Sequence, residues 1–317
     1  MEIYNLLTMK REERAVSPLS PESDRGFAVA LGSFDGIHAG HVALIKRAVS
    51  AARERGLYSA VWTFRDDASQ LPGKKGTRVI TTLKEKLGLI ASLGVDYALL
   101  EDFSRVRDYM PDYFVNQLLR VDCKTKLAVC GFNFRFGKGG LGDCDTLCEL
   151  MGSENCIVVP PVYRAGHLVS SSAIRLLISA GEMEQAAELL TRPFFIDFPV
   201  VHGKQLGRTI GIPTINQEFP EGHVIPKNGI YACTVEIADD IFLGVANVGV
   251  RPTVDHDYAH INCETHIINY NGWLYGKNIK VSFYKRIRDE IKFPSVDELR
   301  AQIKRDIASA IDYFSKK

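Results

Sequence analysis

The first half of the chain alternates short apolar runs with stretches of helical apolar spacing. In residues 42–55, "VALIKRAVSAARER", the side chains of Val42, Ile45 and Val49 share one helical face. The segment "TTLKEKLGLIASLG" opens with Thr82-x-x-Glu85, the spacing of a capping box. Such alternation predicts a doubly wound parallel sheet with helices on both faces. The predicted strands are "FAVALGSF", "YSAVWTF", "YALLEDF", "LAVCGFNF" and "CIVVPPVY".

The apolar pattern changes in the second half. From Phe194 to Arg286 the apolar runs are short and separated by glycine, proline and asparagine, which is typical of an antiparallel sheet closed into a barrel or sandwich. We therefore predict two domains: a Rossmann-like α/β domain over residues 1–186, and an antiparallel β-barrel or sandwich with a closing helix over residues 187–317. The closing helix is predicted in "SVDELRAQIKRDIASAIDYF", with Leu299, Ile303, Ile307 and Ile311 on its apolar face.

Composition narrows the kind of partner. The 317 residues carry a formal net charge of +1 and are 46% hydrophobic and 24% charged, so no overall field favours nucleic acid or membrane. The chain opens without a secretory pattern and holds no membrane-spanning run, which leads us to expect a cytoplasmic protein. We also expect a monomer or weak homo-oligomer. Seven cysteines fit a reducing compartment better than a disulfide framework. No C-x-x-C pair occurs among them, so a structural metal is not expected.

The stretch "GSFDGIHAGH", residues 32–41, lies where the first predicted strand turns into a helix. Such a junction exposes backbone N–H groups and the positive end of a helix dipole, which together attract anions. His38 and His41 share this helix entrance, and Gly40 between them lets a ligand approach the backbone. The sequence therefore predicts a phosphate site here.

This stretch resembles the H-x-G-H signature of the nucleotidyltransferase superfamily. Its fuller form, G-x-F-D-G-x-H-x-G-H, is similar to that of the bacterial bifunctional riboflavin kinase/FAD synthetases. The resemblance implies that His38 and His41 hold the phosphates of ATP during adenylyl transfer to FMN. The attacking FMN phosphate is already an anion, so the reaction needs charge stabilisation and in-line positioning and no general base.

Two further motifs of the first half follow in the same order as in that family. "GFNFRFG", residues 131–137, resembles its flavin and nucleotide loop, with Asn133 at the polar position. "SSSAIR", residues 170–175, resembles its S-S-T-x-I-R element, where hydroxyls at a helix start and an arginine make an anion cradle. The ATP contacts that the resemblance implies in this domain are Gly32, Phe34, Gly40, Ser171, Ser172 and Arg175.

The second half resembles the riboflavin kinase part of the family. "HGKQLGRTIGIPTIN", residues 202–216, is similar to a segment ending in P-T-A-N, with Ile215 in place of the alanine. By this resemblance Gly203, Lys204 and Gly207 contact ATP. Thr214 and Asn216 offer oxygen ligands suited to Mg²⁺.

The general base expected for a kinase is Glu264, in "CETHIINYNGWLYGK". Phosphorylating riboflavin means activating a primary hydroxyl, and a carboxylate within hydrogen-bond reach can accept its proton. "GVANVGVRPT" and "IRDEIKF" match flavin-binding and closing segments, which implies flavin contacts at Asn247, Arg251 and Arg288.

The sequence departs from the family pattern at two places. Where the family usually reads T-F-x-P-H-P, this chain has Asp66, Asp67 and Ala68 after "TFR", and Gly140 stands where an arginine is common. Both departures remove cationic or potentially cationic groups near an expected polyphosphate. A riboflavin kinase with a weak or inactive adenylyltransferase domain therefore stays open, as does a flavin or nucleotide sensor without catalysis.

The leading hypothesis is an enzyme that phosphorylates riboflavin to FMN and adenylylates FMN to FAD. Its substrates are riboflavin, FMN and ATP, its cofactor is Mg²⁺ bound with ATP, and no nucleic-acid or membrane partner is expected.

Overall fold

The structure is a computed structural model that divides into two compact units, Met1–Ser171 and Ser172–Lys317. It describes residues 1–5, 10–11, 25–65, 77–203, 207, 211–251 and 260–317, with only the backbone at 5, 10, 11, 250, 251 and 260.

The first unit is built on a seven-stranded sheet with the strand order β2-β1-β5-β4-β3-β6-β7. All pairs are parallel except β1 with β2, which confirms the doubly wound sheet and its five predicted strands. The strands are β1 (Glu2–Asn5), β2 (Lys10–Arg11), β3 (Phe27–Leu31), β4 (Tyr58–Phe64), β5 (Tyr97–Glu101), β6 (Thr125–Gly131) and β7 (Cys156–Val159), and β8 (Tyr163–Arg164) and β9 (His167–Leu168) form a separate hairpin.

Both faces of this sheet are covered, which explains the unbroken apolar run of β3. Alternate residues of a strand point to opposite faces, and all five residues of β3 are buried. Val29 packs with Trp62 and Leu118 on one face, whereas Ala30 packs with Ile45 and Ile90 on the other. The helices are α1 (Ala39–Arg55), α2 (Leu83–Ser92), α3 (Phe103–Val106), α4 (Pro111–Tyr113), which continues as a π-helix (Phe114–Asp122), and α5 (Cys144–Met151).

The sequence predicted the starts of two helices on this sheet. The Thr82 hydroxyl accepts a hydrogen bond from the Glu85 backbone, and the Glu85 carboxylate accepts one from the Thr82 backbone, so the capping box of α2 is confirmed. The His38 side chain caps α1. Strand β1 was not predicted. It pairs with β5, but in the sequence it precedes the regular alternation of strands and helices on which the prediction rested.

The second unit holds a six-stranded sheet with the order β10-β15-β12-β13-β14-β11, in which every pair is antiparallel. A bridge between Val201, just after β10, and Asn216 on β11 brings the two edge strands together. The prediction of an antiparallel barrel is thereby confirmed. The strands are β10 (Phe194–Pro199), β11 (Thr214–Glu218), β12 (Gly229–Ile237), β13 (Asp240–Arg251), β14 (His260–Ile267) and β15 (Asn278–Arg288), and the helices are α6 (Ser171–Ala180), α7 (Met183–Leu190) and α8 (Val296–Ser315).

Helix α8 is the predicted closing helix, and three of its four predicted apolar residues, Leu299, Ile303 and Ile307, are half-buried. Ala310 and Ile307 pack on Ile230 and Val245 of the sheet, whereas Ile311 is 44% exposed. Residues spaced by four advance around an α-helix by about 40° per step, so Ile311 lies about 120° from Leu299 and leaves the buried face. Asp306, a polar residue, is buried on the sheet side of the helix. Apolar spacing alone does not reveal such a contact.

The cysteines also differ from the expectation of reduced thiols. Cys148 near the end of α5 and Cys156 at the start of β7 form a disulfide, with their Cα atoms 5.1 Å apart. Because a short turn connects this helix and strand, eight residues of separation bring the two together. The other five cysteines are free and buried. Within the described ranges, no helix combines the length and apolar composition needed to cross a membrane.

Candidate active sites

The histidine turn, residues 32–41, lies at the carboxyl end of β3, where doubly wound sheets bind ligands. The rings of His38 and His41 are stacked, with their centroids 3.6 Å apart, and the fully buried Phe34 ring meets His41 edge-on at 5.2 Å. A Cβ at Gly40 would lie 3.3 Å from the His38 ring, so this glycine makes room for the stack. A Cβ at Gly32 would likewise crowd the Phe34 ring at 3.1 Å.

Hydrogen bonding defines the tautomer of His38. Its Nδ1 accepts a hydrogen bond from the backbone N–H of His41 at 3.3 Å, so the ring hydrogen of a neutral His38 belongs on Nε2. The ring therefore caps α1 with one nitrogen and can donate with the other. This arrangement suits an anion at the helix entrance.

Buried Asp35 braces the histidine turn from behind. Its Oδ1 accepts hydrogen bonds from the backbone N–H of Ile80 at 2.9 Å and of Thr81 at 3.2 Å, and the Thr81 hydroxyl accepts one from the Gly36 backbone at 3.0 Å. Sequence reasoning placed Asp35 in the motif and gave it no role. Its position before a glycine in a strand-to-helix turn was the available signal.

We expect Asp35→Ala to lower the free energy of unfolding by about 3 kcal/mol, because two buried N–H groups lose a charged acceptor. Urea unfolding followed by fluorescence of the buried Trp62 measures this change. The control is Asp108→Ala, whose carboxylate is 66% exposed and pairs with surface Arg107. Equal stabilities for the two variants would contradict the bracing role.

Buried Lys86 joins the ends of β3 and β4 beside the turn. Its Nζ donates to the Phe64 carbonyl at 2.7 Å, the Thr63 hydroxyl at 3.3 Å and the Ser33 carbonyl at 3.5 Å.

The Glu101 carboxylate lies at the end of the neighbouring β5. Burial raises the pKa of Glu101, and Arg105, bound at 3.0 Å, opposes that rise. Asp66, Asp67 and Ala68, which follow β4, lie outside the described residues.

The loop after β6 carries Asn133, which is exposed and turned back over the loop near Gly131. Arg135 and Lys138 lie in the same loop, and Arg135 forms an ion pair with Asp143 at 3.4 Å. The Thr146 backbone N–H lowers the pKa of Asp143 by hydrogen bonding at the start of α5. Gly140 has φ of 72°, a left-handed conformation that favours glycine. The loop still carries positive charge on Arg135 and Lys138.

Ser171, the last residue of the first unit, contacts the histidine turn. Its hydroxyl donates to the Asp35 carbonyl at 2.9 Å. Ser172 is exposed on the first turn of α6, and Arg175 follows it half-buried. Both belong to the second unit.

Three predicted residues of the second unit lie side by side across its sheet. Asn216 on β11 is paired with Glu264 on β14, and Glu264 with Asn247 on β13. Directly paired residues point to the same face of an antiparallel sheet, so these side chains form one polar row. Asn216 is buried, whereas Glu264 and Asn247 are half-buried.

The hydrogen bonds within the polar row indicate which kind of ligand it can bind. The amide of Asn262, two residues before Glu264, donates to Glu264 Oε1 at 3.2 Å and to Asn216 Oδ1 at 3.3 Å. The buried Oδ1 of Asn247 has no hydrogen-bond partner among the residues that the structure describes. A buried acceptor without a partner favours a ligand that donates a hydrogen bond, such as a hydroxyl group.

The glycine-rich segment lies against β11. A side chain at Gly203 would collide with the Asn216 amide, and a Cβ at Gly207 would lie 3.5 Å from the Thr214 hydroxyl. The missing side chains therefore let the backbone pass close to both predicted metal ligands. Lys204 lies outside the described residues.

An open cavity of about 200 Å³ adjoins this segment and includes Thr214 and Asn216 in its wall. Its other side is aromatic: Tyr275 stacks on His202 at 4.2 Å, and Trp273, 65% exposed, meets Tyr275 edge-on. The cavity suits the planar ring of a ligand with polar groups at one end. Sequence reasoning missed this wall, although "NGWLYG" follows Glu264 closely.

The oxygen donors of β11 fit Mg²⁺. Thr214 and Asn216 are two residues apart on one face of the strand, and both line the cavity. Mg²⁺ prefers oxygen ligands and is commonly held by few protein groups together with substrate phosphates. No cluster of three or more His, Cys, Asp or Glu side chains that could hold a metal occurs in the described part of the chain, so the fit rests on these two neutral oxygens.

Arg288 is engaged by the closing helix. Its guanidinium binds Asp306 through two hydrogen bonds of 2.9 and 2.7 Å and donates a third to the Asp289 carbonyl at 2.8 Å. These contacts fix the end of β15 and the start of the following loop, and a flavin contact of Arg288 stays a prediction. The predicted contact of the Arg251 side chain lies outside the described residues.

Both halves of the chain resemble known proteins. The family model described as FAD synthetase matches residues 20–173, and the one described as Riboflavin kinase matches residues 190–314. The chain is 36% identical to the bifunctional riboflavin kinase/FMN adenylyltransferase of Bacillus subtilis over 94% of this chain and 95% of that protein. Identity to the Escherichia coli protein of the same name is also 36%, over 95% and 97% of the two chains.

A solved structure shares the overall fold. A crystal structure from Streptococcus pneumoniae, described as a macrolide-efflux protein, has a TM-score of 0.80 and 32% identity, and the match covers 90% of this chain and 94% of that one. That description applies to the Streptococcus pneumoniae protein. By its near full-length relatives and its two family domains, the chain belongs to the family of bifunctional riboflavin kinase/FMN adenylyltransferases.

Proposed function

We propose that the chain phosphorylates riboflavin to FMN in its second unit and adenylylates FMN to FAD in its first, with ATP as the donor in both reactions. The observation that carries the kinase proposal is the polar row next to a cavity with an aromatic wall. The row places side by side an amide, a carboxylate and an amide oxygen that has no hydrogen-bond partner among the described residues. Family membership and the histidine turn support the second activity.

In the kinase reaction, Glu264 accepts the proton of the primary hydroxyl of riboflavin as that oxygen bonds to the γ-phosphorus of ATP and ADP leaves. Asn247 Oδ1 accepts a hydrogen bond from the flavin substrate. The aromatic wall at Tyr275 packs against the adenine ring. Thr214 and Asn216 would hold Mg²⁺, which neutralises charge on the phosphates when bound. Gly203 and Gly207 let the backbone approach the same phosphates.

In the adenylyl transfer, an oxygen of the FMN phosphate bonds to the α-phosphorus of ATP, and the bond to the β-phosphate breaks to release pyrophosphate. No proton must be removed from the nucleophile. His38 and His41 donate to the phosphates at the start of α1, and the Ser171, Ser172 and Arg175 segment offers further donors. Asn133 in the loop after β6 contacts the flavin.

A kinase with a weak adenylyltransferase is the second candidate. It is favoured by Gly140, which replaces a cation in the loop after β6, and by the acidic Asp66 and Asp67. Arg135 and Lys138 argue against it because they keep that loop cationic.

We further propose a cytoplasmic protein, a monomer or weak homo-oligomer, that uses Mg²⁺ with ATP. The small net charge supports the absence of a nucleic-acid partner.

Separate incubations with riboflavin and with FMN, each with Mg²⁺ and ATP, followed by chromatography of the flavins, test the proposal. We expect FMN and then FAD from riboflavin, and FAD from FMN. FMN without FAD in both incubations would support the second candidate. Unchanged flavins would exclude both.

The second unit is expected to act alone. The boundary at residues 186 and 187 stays a prediction, and a fragment from Met183 to Lys317 tests it while keeping the whole of α7. We expect this fragment to fold and to phosphorylate riboflavin, because its strands form their own core and Glu184 of α7 bonds Tyr313 of α8 at 3.2 Å. A fragment from Phe194, which lacks α7, is the comparison. Failure of the Met183 fragment to fold or phosphorylate riboflavin would contradict autonomy.

A further inference from the structure

Asn262 occupies a position between the two polar side chains on which the proposed kinase chemistry depends. It is 5% exposed, lies on β14 two residues before Glu264, and therefore points to the same face of the sheet. Its side-chain nitrogen donates to Glu264 Oε1 on its own strand and to Asn216 Oδ1 on β11. One amide group thus spans two strands and uses both of its N–H bonds.

The contacts also determine which way this amide points. Turning it over would place Asn262 Oδ1 against the Glu264 carboxylate and the Asn216 carbonyl, and three acceptors would face one another. With the nitrogen placed between them, the carboxylate and the carbonyl oxygen can lie close together on neighbouring strands. Asn262 is therefore what makes the side-by-side placement of Asn216 and Glu264 electrostatically compatible.

The register of the sheet does not depend on this amide. Backbone pairing already fixes the register of β11 and β14 from Thr214 opposite His266 to Glu218 opposite Asn262. Asparagine is also poorly suited to strands, and burying an amide is unfavourable unless its hydrogen bonds are made. A β-branched residue would serve a purely structural role better.

We propose that Asn262 is a positioning residue of the kinase site. It orients the Asn216 oxygen toward the metal position and holds the Glu264 carboxylate in line for the substrate hydroxyl. The inference rests on the proposed kinase function. The inference adds Asn262 to the site, a residue to which neither the sequence motifs nor the family resemblance gave a role.

The first test is binding without turnover. In Asn262→Leu, we expect the affinity for ADP in the presence of Mg²⁺ to fall by about tenfold, as is usual when a partner of a metal ligand is removed. Affinity for ADP in EDTA is expected to stay unchanged, because only the metal-dependent part of binding involves Asn216. Titration calorimetry measures both. Asn278→Leu is the matched control, since Asn278 donates to a backbone carbonyl of the same sheet at 2.9 Å, away from the polar row.

The second test is a kinetic cycle with Glu264→Gln. We expect Asn262→Leu to lower kcat for FMN formation by about tenfold while KM for riboflavin changes by less than about twofold. In the Glu264→Gln background the loss of kcat should be smaller, because residues that act through one another are not additive. Asn262→Asp keeps the shape of the side chain and removes the donors, so it is expected to lower kcat as well, even if the leucine variant does not fold.

The inference is overturned if Asn262→Leu behaves like Asn278→Leu, if ADP affinity falls equally with Mg²⁺ and with EDTA, or if Asn262→Asp retains wild-type kcat. A wild-type protein that forms no FMN would instead refute the proposed function on which the inference rests.

Discussion

Glu264→Gln is expected to lower kcat for FMN formation by about 10²- to 10⁴-fold, the usual effect of removing a general base. Glutamine has nearly the same shape as glutamate, and its carbonyl oxygen can still accept the hydrogen bond of Asn262. The substitution therefore removes basicity and leaves the arrangement of the polar row in place. Conversion of added FMN to FAD should be nearly unchanged, because that reaction is assigned to the other unit.

The matched control is Glu236→Gln. Glu236 lies on β12 of the same sheet and forms a half-exposed ion pair with Lys280 at 2.8 Å, a kind of contact that contributes little to stability. Its variant should phosphorylate riboflavin at the wild-type rate. Near-normal phosphorylation by Glu264→Gln, measured in the same assay, would refute the assignment of the base.

His41→Asn is expected to lower kcat for FAD formation by about 10²- to 10³-fold, the effect of losing one donor that stabilises charge in a transition state. His38 is the less suitable choice for this test because its Nδ1 also caps α1, so its removal changes the helix start as well. The His41 side chain can be replaced while that cap remains. FMN formation from riboflavin provides an internal measure of the integrity of the second unit.

The exposed His167 of strand β9 offers the control for this variant. His167→Asn should form FAD like the wild type. If His41→Asn also does so, the histidine turn does not hold the phosphates in the way proposed here.

The architecture of both units could be predicted from local sequence patterns. The β3 run is apolar at every position because both faces of the sheet are covered. The capping box of Thr82 and Glu85 marks the start of α2 in the sequence. The prediction failed at Ile311, because four-residue spacing advances around the helix by about 40° per step and carries this residue out of the buried face. The buried ion pair of Asp306 with Arg288 had no local sequence signal.

The motifs predicted individual residues of the candidate sites but not which of these residues lie side by side. Asn216, Glu264 and Asn247 come from three separate motifs, and only the strand register shows that they are neighbours. Asp35 lies within a motif and Asn262 in none, but sequence reasoning assigned neither residue a role, since their roles consist of contacts to other residues of the sites. The aromatic wall formed by Tyr275 and His202 joins segments more than 70 residues apart, which sequence spacing cannot reveal.

The central claim is that one chain carries out two different transfers from ATP to a flavin. Incubating the wild-type protein with riboflavin, Mg²⁺ and ATP labelled at either the α- or the γ-phosphorus, and then separating the flavins, tests it most directly. We expect γ-label in FMN and in FAD, and α-label in FAD alone. Flavins without γ-label would refute the kinase reaction, and flavins without α-label would refute the adenylyl transfer.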